Sequence, residues 1–111
     1  MRPDVYQAAA MRTCRHTQGS QQCILEGALG LNGEAGEVAD IIKKSVFGGH
    51  PMDKEKLILE LGDILWYVAE TAHGIGISLE DIMERNLRKL EARYPTGKFT
   101  TADSMARKDV T

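Results

Sequence analysis

Two acidic pairs, Glu34-Ala-Gly-Glu37 and Glu60-Leu-Gly-Asp63, stand at equal distances on either side of Gly48-Gly49. An i, i+3 spacing places both carboxylates of a pair on one face of a helix. A chain that folds back at the two glycines therefore brings the pairs level on antiparallel helices. Negative charges held that close repel, and some would take up protons unless a cation lay between them. An all-oxygen set of this kind suits a hard divalent ion, Mg2+ or Mn2+.

The remaining pattern is helical. The spacing predicts four helices: about Pro3 to His16, Ser20 to Val46, Lys54 to His73, and Ser78 to Arg93. Pro3 suits a first helical turn, Asp53 an N-cap, and Ser78-Leu-Glu-Asp81 resembles a capping box with Asp in place of Glu or Gln. Phe47-Gly48-Gly49-His50-Pro51, Gly74-Ile75-Gly76-Ile77 and Pro95-Thr96-Gly97 are the breaks. The third helix has the cleanest periodicity, with Leu57, Ile58, Leu61, Ile64, Leu65, Val68, Ala69 and Ala72 on one core stripe. At about 100° per residue, Glu60, Asp63 and Tyr67 form a second stripe beside it, so these acids border the core. Tyr67 is thereby placed to stack on a ligand ring, or equally to fill a subunit contact; Trp66 points toward a second interface.

The second helix carries Gly27, Gly30, Gly33 and Gly36. Each costs a helix about 1 kcal/mol relative to alanine. Close approach of another helix is the first explanation, room for a ligand the second, and a partial loop the third. On the fourth helix Asn86 and Lys89 are again i, i+3, level with the acids if the chain turns at Gly74. Asn86 falls in the apolar stripe of Leu79, Ile82, Met83 and Leu90, as a registry amide or as a group that orients a carboxylate or substrate. Lys89 and Arg93 are suited to phosphate. Lys43 and Lys44 follow Glu37 by one to two turns, where helix-end lysines are ordinary.

The expected fold is all-α: a four-helix antiparallel chain forming a bundle completed by oligomerisation. Residues 1–97 read as one domain and 98–111 as a polar tail or flap. With 111 residues the core is modest. The formal charge of −2 and the lack of a Lys/Arg block argue against a nucleic-acid polymer as partner. No segment approaches the ~18 apolar residues of a membrane span, and a cytoplasmic location is expected. Cys14 and Cys23, nine residues apart, match neither a zinc spacing nor CxxC, and read as free thiols.

Taken together, these residues resemble the MazG-like nucleotide pyrophosphohydrolases. Gly30-Leu-Asn-Gly-Glu34-Ala-Gly-Glu37-Val-Ala-Asp40 with Lys43-Lys44 is similar to their first acidic motif. Glu60-Leu-Gly-Asp63-Ile-Leu-Trp66-Tyr67 is similar to the second, and Asn86-Leu-Arg-Lys89-Leu with Arg93-Tyr94-Pro95 to the closing segment. The resemblance covers roughly residues 20 to 99. It implies an all-α nucleoside triphosphate pyrophosphatase fold, assembly as homodimer or homotetramer, and Mg2+-dependent cleavage of a nucleoside triphosphate to monophosphate and pyrophosphate. It implies Glu34, Glu37, Glu60 and Asp63 as metal ligands. On that mechanism Lys89, with Lys44 or Arg93, steadies phosphate oxygens, Asn86 orients a group, and Tyr67 stacks on the base. Phosphoribosyl-ATP pyrophosphohydrolase ranks second among enzymes, and a metal-stabilised helical interaction module is the non-catalytic alternative. A di-iron bundle needs two ExxH steps, and Glu70-Thr-Ala-His73 is the one present. None of His16, His50 or His73 has a role by spacing.

Overall fold

The computed structural model describes residues 1–110 and contains five helices among them: α1 (Pro3–Met11), α2 (Gln21–Val46), α3 (Lys54–Ile75), α4 (Leu79–Arg93) and α5 (Thr101–Ala106). No strand occurs among the described residues. The chain divides into two compact units, Met1–Ser78 and the stretch from Leu79 onward. In the first, α2 and α3 form a hairpin and α1 lies against α3. In the second, α4 contacts α5. The fifth helix falls in the stretch expected to be a polar tail, where Thr100 Oγ1 accepts from Asp103 N and supplies its N-cap.

The expected Asp53 cap forms, and Ser20, expected as the start of the second helix, is its N-cap. Ser20 Oγ accepts from Cys23 N, and Asp53 Oδ1 accepts from Lys56 N at 3.0 Å. The third helix runs two residues past the expected His73, because the first glycine of its break does not stop it. Gly74 is a buried contact: a Cβ there would lie 2.9 Å from the Ile24 backbone nitrogen. Gly76, at φ 75°, is the left-handed residue that ends the helix. Its N–H donates to His73 O and that of Ile77 to Ala72 O, the paired bonds of a Schellman cap.

The first helix is shorter than expected. It stops at Met11 instead of continuing to His16, although no Gly or Pro follows until Gly19. Thr13 N and Cys14 N donate to Ala10 O and Met11 O in tight i→i+3 turns. Thr, Cys and His are indifferent helix formers, and the Cys14 thiol finds partners on the hairpin instead. The helix itself is tied down by Gln7, whose Nε2 donates to Ala69 O and Ile77 O, and by Trp66, whose Nε1 donates to Ala10 O at 3.0 Å. Trp66, expected to point toward a second interface, is thus an intramolecular anchor on α1. Trp66→Phe removes this bond and is expected to lower stability by about 1 kcal/mol, read as an earlier midpoint in urea unfolding.

Only part of the predicted α3 stripe is buried. Ala69 and Ala72 are fully enclosed, whereas Ile58, Leu61 and Leu65 are about half exposed, at 50%, 47% and 56%. The α4 stripe is similar: Leu79 is buried and Ile82 half-buried, while Met83, Asn86 and Leu90 are exposed. Asn86 is therefore not the buried amide expected from the sequence.

Candidate functional site: an acidic cluster on the α2–α3 hairpin

The hairpin register follows the glycines. A Cβ on Gly27 would lie 2.9 Å from Thr71 N, and one on Gly30 would meet the Tyr67 ring. One turn further along α2, and one turn back along α3, Glu34 meets Glu60 and Asp63. One carboxylate oxygen from each lies within 4.8 Å of the other two. Close helix approach, the first of the three explanations for the glycines, holds at Gly27 and Gly30. Gly33 and Gly36 face open space, and the whole stretch is helix.

Three of the four expected acids thus converge. Glu37 is exposed and lies outside the cluster, yet near enough to act electrostatically on Glu34 and on Lys44. Glu34 is half-buried, and its Oε2 is enclosed with no hydrogen-bond partner. Its pKa rises from the ordinary 4.5 to about 7, through a hydrogen bond shared with Glu60, through burial, and through the charges of Glu60, Asp63 and Glu37. An acid held protonated by its acidic neighbours is what a carboxylate set looks like when no cation balances it. The donors present, all carboxylate oxygens, fit Mg2+ or Mn2+.

A pH effect follows. Between about 4.5 and about 7, folded Glu34 keeps a proton that the unfolded chain releases. Its contribution to stability is complete below pH 4.5 and is lost as pH rises to about 7. In chelator, the fall of Tm over that window is expected to be shallower in Glu34→Gln than in the parent chain.

The cluster opens into a cavity of about 350 Å³ lined by Glu34, Asp63, Trp66 and Tyr67. Trp66 and Tyr67 meet edge to face, with centroids 5.2 Å apart. Both also line a larger cavity of about 710 Å³ that includes Arg15, Glu26, Leu29 and Gly30. Arg15 and Glu26 form an ion pair. Sequence reasoning missed Arg15. It also missed Tyr6, whose hydroxyl is pushed up in pKa by burial and by nearby Asp63. No spacing links the N-terminal segment to the hairpin, so only the tertiary contacts of Tyr6 and Arg15 reveal them.

Among the other expected residues, Lys44 and Arg93 are each engaged by an aspartate. Lys44 Nζ bonds Asp40 Oδ2 at 2.9 Å and lines a cavity at the hairpin tip with His50 and Lys56. Lys89 and Asn86 are exposed on α4. Arg93 is half-buried, its Nε donating to Asp109 Oδ1 at 2.7 Å, with its guanidinium 6.0 Å from the Tyr94 ring centroid. The Arg93 bond holds the Asp109 carboxyl below its usual range.

Comparison with known proteins decides the family. The profile of the MazG nucleotide pyrophosphohydrolase domain matches residues 24–98. The chain belongs to the MazG family. The MazG match spans both acidic pairs and all of α4. Gene 37 protein of Mycobacterium phage L5 is 35% identical over 105 residues, covering 87% of this chain and 92% of that protein. Uncharacterized protein YvdC of Bacillus subtilis (strain 168) is 34% identical over 70 residues, 55% of this chain and 66% of that protein. No solved structure gives a significant match. The all-α architecture of this MazG chain agrees with its family. No helix among the described residues is long and apolar enough to cross a membrane.

Proposed function

We propose that this MazG-family chain is a Mg2+-dependent nucleoside triphosphate pyrophosphohydrolase, releasing a nucleoside monophosphate and pyrophosphate. The observation that carries the reading is the convergence of Glu34, Glu60 and Asp63 across the hairpin, with a buried, unpartnered Glu34 oxygen, beside an aromatic-walled cavity. Glu34, Glu60 and Asp63 hold the cation, with Glu37, one turn along α2, as the fourth carboxylate. When bound, Mg2+ offsets triphosphate charge and lowers the pKa of the attacking water.

The chain's own residues supply the rest. The edge-to-face pair of Trp66 and Tyr67 gives the base an apolar wall, and the adjoining larger cavity gives it room. Lys89 and Lys44 meet phosphate oxygens in this reading, and Asn86 orients a phosphate or carboxylate group. Arg93 is already engaged by Asp109, so Lys89 takes the larger share. A second copy covers the exposed Ile58, Leu61 and Leu65 face, giving a homodimer or homotetramer. The role is nucleotide-pool housekeeping in the cytoplasm.

The test is a panel of ribo- and deoxyribonucleoside triphosphates incubated with Mg2+, with pyrophosphate and monophosphate measured together. Release of both in equal amounts from at least one nucleotide is expected. Orthophosphate as the product, or turnover of none, sinks the reading.

A further inference from the structure

A second group of ligating side chains lies two turns along α3 from Asp63, or about 10 Å by helical rise. Glu70 is completely buried, the largest fully enclosed side chain of the chain among the described residues. Its Oε2 lies 3.4 Å from Cys14 Sγ, and its Oε1 is buried with no hydrogen-bond partner. Cys23, equally enclosed, places its Sγ 3.7 Å from that of Cys14. Both thiols are free. One ligand atom from each of Cys14, Cys23 and Glu70 lies within 4.8 Å of the other two.

Burial and a hydrogen bond shared with Glu26 raise the Glu70 pKa, so two carboxyl groups meet there with no cation between them. A buried charge costs several kcal/mol unless it is paired, and an apolar side chain of similar size would fill the space without that cost. The spacings match tetrahedral zinc. With Zn–S of about 2.3 Å and Zn–O of about 2.1 Å, the sulfurs of such a site are ~3.75 Å apart and a sulfur and an oxygen ~3.6 Å apart. The contacts here are 3.7 and 3.4 Å.

We propose that Cys14, Cys23 and Glu70 form a zinc site separate from the acidic cluster. Two thiolates with a carboxylate select a borderline ion such as Zn2+ over Mg2+. As the two S–Zn bonds form, both thiol protons leave to solvent. A water completes the tetrahedron. On the outer side of Glu70, His16 and Glu26 approach within the same 4.8 Å limit. The His16 Nε2 is 3.3 Å from Glu26 Oε2, and Arg15 pairs with Glu26. Glu26, which shares a hydrogen bond with Glu70, would orient that carboxylate, as partners of metal-bound carboxylates do. The site joins three segments: the loop after α1, the first turn of α2, and α3. Zinc there clamps the Met1–Ser78 unit.

The test uses the full reduced chain with Co2+ and Zn2+ alone, both in the parent and in Glu34→Gln/Glu60→Gln, which removes the acidic cluster. Expected in both backgrounds are one equivalent of Co2+ giving thiolate-to-cobalt charge transfer and tetrahedral d–d bands, displacement by Zn2+, a raised Tm, and loss of thiol reactivity that a chelator restores. Cys14→Ser, Cys23→Ser and Glu70→Gln are each expected to lose the bands or to weaken Zn2+ binding by at least about 10- to 100-fold. Circular dichroism of each variant confirms that it is folded. Absence of sulfur-to-cobalt transitions in the folded parent overturns the proposal. So does oxidation of Cys14 and Cys23 to a disulfide in the presence of equimolar Zn2+, or binding that disappears in Glu34→Gln/Glu60→Gln alone. Pyrophosphate release plays no part in these readouts, so failure here and failure of the proposed activity are separate results.

Discussion

Asp63→Ala and Glu34→Ala are expected to lower Mg2+-dependent pyrophosphate release by on the order of 10²- to 10³-fold without weakening the metal-free fold. The magnitude follows from the several kcal/mol of transition-state charge stabilisation that a positioned cation supplies, at about 1.4 kcal/mol per factor of ten. The sparing of the fold follows from electrostatics. Glu34, Glu60 and Asp63 face one another across the hairpin, and Glu60 and Asp63 raise the cost of ionising Glu34. Removing one relieves that repulsion. Tm in chelator at pH 8 is therefore expected to stay level or rise, while the Tm gain on adding Mg2+ disappears. Glu37→Ala is a graded case: Glu37 lies outside the cluster, so a smaller loss is expected unless it turns inward to a bound cation. A variant at Glu34 or Asp63 with full turnover would remove the cluster from the chemistry, whatever its effect on Tm.

Gly27→Ala is expected to destabilise the chain by about 1–3 kcal/mol, the usual cost of overpacking. The new methyl group lies 2.9 Å from the Thr71 backbone nitrogen and 3.1 Å from its Cα. Backbone cannot rotate out of the way, so the helices must separate, and with them the register that brings Glu34 to Asp63. Gly33→Ala is the control. It sits in the same helix with nothing within 4 Å of the added carbon, and is expected to gain about 1 kcal/mol through helix propensity. Opposite shifts in urea midpoint are the expected signature. Equal shifts would mean that helix packing does not set the hairpin spacing.

The hairpin helices, the Asp53 cap and the meeting of Glu34 with Asp63 were legible because each rests on local rules or on distance from one turn. The glycine pair at 48 and 49 fixes where the chain reverses, and equal arm lengths then fix which acids meet. Exposure of Ile58, Leu61 and Leu65 was not legible. Periodicity says that a face is apolar, not which neighbour covers it. The stop of α1 at Met11 escaped for a related reason, since the Cys14 thiol just beyond it meets Glu70, more than fifty positions away.

Helical period and chain reversal are properties of neighbouring residues, so the all-α chain, the hairpin register and the carboxylate set could be read from local pattern. Tertiary structure alone decided that Glu37 stands off from the other three acids, that Trp66 turns inward to Ala10, and that two cysteines without a recognisable spacing share a buried glutamate. Those outcomes depend on where side chains of distant segments come to rest, and on which polar atoms burial leaves without water. No pattern along a single strand of sequence encodes either.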